Sequence, residues 1–438
     1  MMMSPLAVAA WRPGPARTRP GAAGLPRLLP AAISGCPARL AEHLARHGPL
    51  PSGAEDARSR QELIREVERS GLRGRGGAGF PTAVKLRALA AAARSPLVIA
   101  NGTEGEPASA KDKVLLACAP HLVLDGAVYA AGLTGARQVV VVVHHAVRDI
   151  VARAADERRR SRYDGVPVRV LDAGTGFVAG EASAVAHWVE RGIALPSGKP
   201  PRLGGTSRAG HPALVQNVET LAHLALIARH GAAWFRSAGT AEEPGSMLVT
   251  VTGAVQRPGA YEIEIGTPTG EMMELAGRAR SPLSALLIGG YFGTWVSAAA
   301  AAPLPFSAAG LAAVGASPGA GLVAALPETA CGLAETARLA RYLAAESAGQ
   351  CGPCVFGLDA IAGEMTRLAT GLPTSLVRIQ RWLGQVSGRG ACRHPDGAAR
   401  MIGSALAVFG AEADEHARGR CRATRTDSVL SIPPEALP

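Results

Sequence analysis

Seven cysteines in 438 residues are too few for a disulfide scaffold. The close spacing of Cys351 and Cys354 points instead to metal or redox chemistry in a reducing compartment, the cytoplasm. A basic cluster is also missing. The formal charge is +11, carried mostly by arginine, but the arginines are dispersed and no nucleic-acid motif accompanies them, so nucleic acid is not an expected partner. No uninterrupted apolar run has membrane-spanning length. Val296 to Leu326 raises the question, yet Pro303, Pro305, Pro318 and several glycines break it, which excludes a spanning helix. The apolar run near the N-terminus is short and cut by Pro13, Pro15 and Pro20, unlike a signal peptide. Aromatics are scarce at 4%, whereas 47% of the chain is hydrophobic. That is enough to bury several cores, and the length predicts two to four domains.

Three styles follow one another along the chain. Ser59–Ser70 and 81–94 read as helices around a glycine-dense loop, with Pro81 suited to a first helical turn. Short apolar strands at 97–100, 139–143 and 166–171 then alternate with helices at 114–131, 146–160 and 181–191, which predicts a parallel sheet covered on both faces. From Met247 the strands 247–253, 260–266 and 285–288 and a helix at 271–276 form a small α+β module. From Glu335 the periodicity is helical (335–345, 355–370, 376–385, 398–412), which predicts a four-helix bundle with cysteines in its loops.

Two constellations carry chemistry. Gly74-Arg-Gly-Gly-Ala-Gly79 lets main-chain N–H groups approach an anion ahead of a helix N-terminus, with Arg75 and Lys85 as neutralising cations. A helix rather than a strand precedes it, unlike a Rossmann fingerprint. Asn101–Pro107 and Gly174–Glu181 follow strand ends, where ligands of open parallel sheets bind. Cys351-Gly-Pro-Cys354 allows two thiolates to face one metal, with Cys392 reaching it from the next interhelical loop. Iron–sulfur and zinc both suit such ligands, and His394 is a possible fourth donor for zinc. Cys36, Cys118 and Cys331 read as small buried apolar residues, and Cys421 is ambiguous.

Together these segments resemble the NADH-binding flavoprotein (51-kDa type) subunit of respiratory complex I and the diaphorase subunits of NAD-linked hydrogenases and formate dehydrogenases. Gly71–Thr82 resembles GLRGRGGAGFPT, Asn101–Lys113 resembles NADEGEPGTFKDR, Gln216–Thr220 resembles NNVET, and Glu346–Cys354 resembles ESCGxCxPC. The resemblance runs from about Gln61 to Arg422. It implies a multidomain α/β fold: a flavodoxin-like parallel-sheet FMN domain, a β-grasp soluble-ligand-binding domain and a helical [4Fe-4S] domain. By motif position, FMN would lie among Gly74, Arg75, Gly76, Gly77, Lys85, Asn101, Glu104, Phe177, Gly180, Glu181 and Asn217. Phe80 and Glu106 would meet NADH, and Cys351, Cys354 and Cys392 would hold the cluster. The family's first cluster cysteine is Ala348 here, leaving Glu346, Ser347, Gln350, His394 or a small molecule as alternatives for the fourth iron, or else a partner-supplied or labile cluster. Thr103 and Ala182 stand where the family has acids.

The expected organisation is a flexible N-terminal segment (1–55), an FMN/NADH domain (56–240), the β-grasp domain (245–328), the iron–sulfur domain (332–425) and a flexible tail (426–438). The expected function is an NADH dehydrogenase-like oxidoreductase. Hydride would pass from NADH to FMN, then single electrons through the cluster to an iron–sulfur partner such as a ferredoxin or companion subunit. One alternative is an FMN electron-transfer paralogue fed by ferredoxin or another donor. A non-enzymatic scaffold with a structural metal is the other.

Overall fold

The computed structural model describes residues 24–29, 38–51, 56–198, 212–277, 279, 281–425 and 427–433. The first layer is a four-stranded, wholly parallel sheet of β1 (Leu97–Gly102), β2 (Val139–Val143), β3 (Val168–Asp172) and β4 (Ala213–Asn217), in the order β3-β2-β1-β4. All five valines of β2 are buried, as a strand covered on both faces requires. Helices α1 (Leu40–His47), α2 (Ala57–Ser70), α3 (Thr82–Ala90), α4 (Lys111–Cys118), α5 (Pro120–Thr134), α6 (His145–Arg160), α7 (Ala182–Arg191) and α8 (Val218–Phe235) surround it. The order reverses between β1 and β4, which makes a topological switch point where their C-terminal ends, Asn101 and Asn217, lie in register.

The second sheet is mixed. β5 (Ser246–Gly253), β6 (Gly259–Glu264), β7 (Leu283–Ile288), β8 (Thr294–Ser297) and β9 (Leu322–Pro327) run in the order β6-β5-β9-β7-β8, with α9 (Thr269–Leu275), α10 (Ala298–Ala301) and α11 (Ala308–Ala312) alongside. The apolar stretch 296–326 is thus the end of β8, two short helices and most of β9. No single described helix is long and apolar enough to cross a membrane. The bent pair α4–α5 passes by length and composition only, and most of its residues are buried. The last region contains α12 (Gly332–Ala345), a π-helical turn (Pro353–Leu358) running into α13 (Asp359–Ala369), α14 (Leu376–Val386), α15 (His394–Val408) and α16 (Gly410–Ala417).

Two expectations of flexibility are corrected. Within 1–55, α1 is formed, and Leu28 and Leu29 are buried. The Glu262 carboxylate on β6 accepts the amides of Arg27, Leu28 and Leu29. Within 426–438, Leu430 is buried and Glu335 accepts the amides of Val429 and Leu430. An anchored apolar side chain with its backbone donors satisfied is not a free tail. Cys118 is buried as expected but disulfide-bonded, and Cys36 lies outside the described residues.

Helices α5 and α8 cross where Gly126 has no side chain, since a Cβ there would sit 1.8 Å from the Leu221 carbonyl oxygen. That neighbour is backbone and cannot step aside. Gly126→Ala is expected to cost about 3 kcal/mol, read as a lowered melting temperature of the purified chain; an unchanged melt would show that the two helices are free to separate.

Candidate functional site

The switch point opens into a crevice of about 760 Å³ walled by all three regions. The glycine loop forms its rim. Gly74 N donates to Phe80 O and Thr82 N to Leu72 O, so a hairpin closes at its base. Arg75 N donates to Thr220 Oγ1, which ties the loop to the start of α8. Gly77 and Gly79 have φ of +106° and +59°, conformations that residues with a side chain rarely adopt. Gly76 approaches so closely that a Cβ would lie 3.3 Å from Asn217 Cβ. A side chain there would press on Asn217, so the small residue lets the backbone come close to this wall.

Lys85 projects from α3 toward the same wall. Its Nζ lies 3.4 Å from Gln216 Oε1 and 3.5 Å from Val215 O, and 5.8 Å from the Phe80 ring centroid. None of these neighbours is an anion. Burial alone pulls the ammonium below its ordinary range, as happens when a cation loses water without gaining a countercharge.

Of the expected residues, Gly74, Gly76, Gly77, Phe80, Lys85, Asn101, Glu106, Gly180, Glu181 and Asn217 line this one crevice. Asn101 joins the loops after β1 and β3: its Nδ2 donates to Gly180 O and its Oδ1 accepts from Thr103 N. Glu181 caps α7 through the amides of Ser183 and Ala184. Three of the expected residues, Arg75, Glu104 and Phe177, are not among those that line it. The Arg75 guanidinium is buried away from the crevice and donates to Pro244 O at 3.2 Å, so only its backbone belongs to the loop. Glu104 does not line the crevice; it accepts from Ser109 Oγ and the amides of Asp112 and Lys113, holding the start of α4. Burial opposes its charge, but Lys113 and these donors keep its carboxyl below the usual range. The Phe177 ring packs against Phe292, Tyr342 and His394, while its amide donates to Glu346 Oε2.

Three stretches were missed: Gly289–Thr294, Gly315–Ala320 and Arg393–Arg400 supply the opposite wall. The run Gly289-Gly-Tyr-Phe-Gly293 was a legible signal. At Gly290, φ is +89° and a Cβ would meet the Glu106 carboxylate at 2.6 Å. Glu106 accepts from Tyr291 N at 2.8 Å. Burial raises its carboxyl to about 8, so it is protonated at neutral pH.

Cys392 lies next to the wall residues Arg393 and Asp396. Its thiol is raised by burial, and feels Glu181 and Cys351. The Cys354 thiol is pushed to about 12 by burial and by Cys351 and Cys392. The three sulfurs therefore converge beside the crevice, and a metal must displace their protons. Ala348, in the loop before Cys351, carries no donor atom. Beyond Cys354 the turn is bare: Val355 and Phe356 are exposed, Phe356 by 76%, as is Val377 at the start of α14.

Comparison with known proteins gives the family of the chain. Residues 67–226 match the Nuo51 FMN-binding domain, 334–416 the NADH-ubiquinone oxidoreductase-F iron–sulfur binding region, and 248–279 the SLBB domain. The chain is 30% identical over 398 residues to the Mycobacterium bovis NADH-quinone oxidoreductase F subunit, covering 84% of this chain and 88% of that protein. It is 30% identical over 380 residues to the Rhizobium meliloti NADH-quinone oxidoreductase F 2 subunit, covering 82% and 89%. Among solved structures it resembles the air-oxidised NAD⁺-reducing [NiFe]-hydrogenase, with a TM-score of 0.75 and 30% identity, covering 83% of this chain and 64% of that one.

The Glu106 shift fixes a sign. A carboxyl that ionises near 4.5 when unfolded and near 8 when folded leaves the folded state holding more protons between those values, so stability falls as pH rises through that window. Melting temperatures from pH 5 to 9 are expected to decline less steeply in Glu106→Gln than in the parent; parallel curves would mean that Glu106 is already ionised.

Proposed function

Since the chain belongs to the 51-kDa NADH-binding flavoprotein family, we propose that it oxidises NADH with an FMN held in the switch-point crevice and passes the electrons singly, through a cluster at Cys351, Cys354 and Cys392, to a protein partner. A flavin held there would supply hydride acceptance and one-electron release, chemistry that belongs to the cofactor. The observation that carries the reading is the desolvated, anion-free ammonium of Lys85 facing the glycine hairpin in a crevice that adjoins the cysteines.

The chain's own residues bind and orient. Lys85 and the amides of Gly76 to Gly79 would neutralise the flavin phosphate. The Asn101–Gly180 bond would hold the loops that flank the ring. Protonated Glu106 keeps a negative charge out of a crevice meant for anionic ligands. Phe80, 42% exposed, offers an apolar face to an incoming nicotinamide. Arg393 and Arg400 line the far wall and suit further phosphates. Within the proposed organisation, the parallel-sheet domain spans 56–240, the β-grasp domain 245–328 and the iron–sulfur domain 332–425. The bare apolar turn at Val355 and Phe356 suits docking of an electron-accepting companion protein or ferredoxin.

A second reading has a specific motive. Thr103 is buried with Oγ1 unpartnered, and Ala182 opens α7 beside Glu181; both stand where the family has acids. A paralogue that draws electrons from ferredoxin and ignores NADH would tolerate those losses.

Anaerobic stopped-flow mixing is expected to show saturable bleaching of bound flavin by NADH; bleaching by reduced ferredoxin alone would favour the second reading. Lys85→Ala is expected to weaken FMN binding roughly tenfold to a hundredfold, the loss of one charge-assisted contact. The affinity for riboflavin, which lacks the phosphate, should not change. Equal loss for both ligands would remove Lys85 from the phosphate site.

A further inference from the structure

A second set of soft donors lies at the opposite end of α12 from the cysteine loop, roughly 20 Å away by helical rise. Cys331 caps the N-terminus of α12. His416 lies in the last turn of α16, and the chain then reverses at Gly419, whose φ is +70°, bringing Cys421 back over it. The Cys331 and Cys421 sulfurs and a His416 ring nitrogen all lie within 4.8 Å of one another. Cys331 Sγ is 3.4 Å from His416 Nε2 and 3.7 Å from Glu412 Oε2.

These separations match one ion. A tetrahedral zinc with Zn–S of about 2.3 Å and Zn–N of about 2.0 Å sets S···N edges of roughly 3.6 Å. An iron–sulfur cubane would need its thiolates farther apart. The supporting bonds are those of a built site: Ala334 N donates to Cys331 Sγ at 3.3 Å and Gly332 N to Glu412 Oε2 at 3.1 Å. The Cys331 thiol donates its proton in a hydrogen bond to Glu412 Oε2, and a bound ion would displace that proton.

We propose that Cys331, His416, Cys421 and Glu412 bind one zinc ion that staples the start of α12 to the end of α16 and the segment after it. Two thiolates and an imidazole select zinc over magnesium or calcium. The staple also fixes the exit of the chain, where the amides of Thr424 and Arg425 donate to Thr329 O. This site is independent of the flavin crevice and shares no ligand with the cluster cysteines.

The test is metal analysis of full-length protein purified under reducing conditions, alongside a Cys351→Ser/Cys354→Ser/Cys392→Ser variant that removes the other thiolates. About one zinc per chain is expected in both. Cys421 is exposed, so Cys421→Ser should fold, and it is expected to lose zinc at least tenfold more readily to a chromophoric chelator. Cobalt added to the zinc-free triple variant is expected to give the visible bands and thiolate charge transfer of a tetrahedral site, lost in Cys421→Ser and His416→Ala. Absence of zinc in both proteins would overturn the proposal. So would a cobalt spectrum indifferent to Cys421, iron in place of zinc at these residues, or a Cys331–Cys421 disulfide in freshly isolated protein.

Discussion

One buried cation holds the crevice together. Lys111 Nζ sits 2.7 Å from Asp112 Oδ1 and 2.8 Å from Glu219 Oε2, all three side chains nearly inaccessible. Each carboxylate spends its second oxygen elsewhere: Asp112 Oδ2 accepts from Asn217 Nδ2, and Glu219 Oε1 from Leu248 N. The end of β4, the first turn of α4, the first turn of α8 and strand β5 of the second sheet therefore meet at a single ammonium. Burying such charges is costly unless every partner is present, so the arrangement is demanding rather than generous in stability. What it supplies is geometry: Asn217 is aimed, and the two sheets keep a fixed relation across the crevice.

This network explains why the motifs read as binding residues turned out to divide. In the Gln216–Thr220 segment, Asn217 reaches the crevice, Glu219 joins the ion network, and Thr220 accepts from the glycine hairpin. In the Asn101–Lys113 segment, Glu106 faces the crevice, while Glu104, Lys111 and Asp112 build the floor beneath it. A motif states which residues occur together, not which of them touch the ligand. Arg75 illustrates the difference: a cation in a glycine loop looks like a phosphate ligand, but its side chain packs toward Pro244 and only its amide is part of the loop.

Three of the four strands of the parallel layer were legible because their signals are local: five valines, alternating helices, and a loop whose glycines demand unusual backbone; β4 was not, and it finds its place only beside β1. The second sheet was harder. Strands β8 and β9 lie in an alanine-rich stretch with little period-2 contrast, and β9 finds its place only by pairing with β5 and β7 from distant sequence. Of the far wall of the crevice, only the glycine run at Gly289–Gly293 carried a local signal; Gly315–Ala320 and Arg393–Arg400 become its neighbours only through the tertiary fold. The pairing of Cys331 with Cys421 was also invisible, since each looked solitary until the last helix turned back.

The glycine hairpin depends on partners far along the chain. Arg75 N reaches Thr220, 145 residues away, and the opposite wall is complete only at Arg400. During synthesis the hairpin therefore leaves the ribosome long before anything exists for it to dock on. Contacts so remote in sequence form late and slowly. The two walls of the crevice therefore come together only once the chain has been made as far as Arg400, so a ligand that needs both finds them at the end of synthesis and not before.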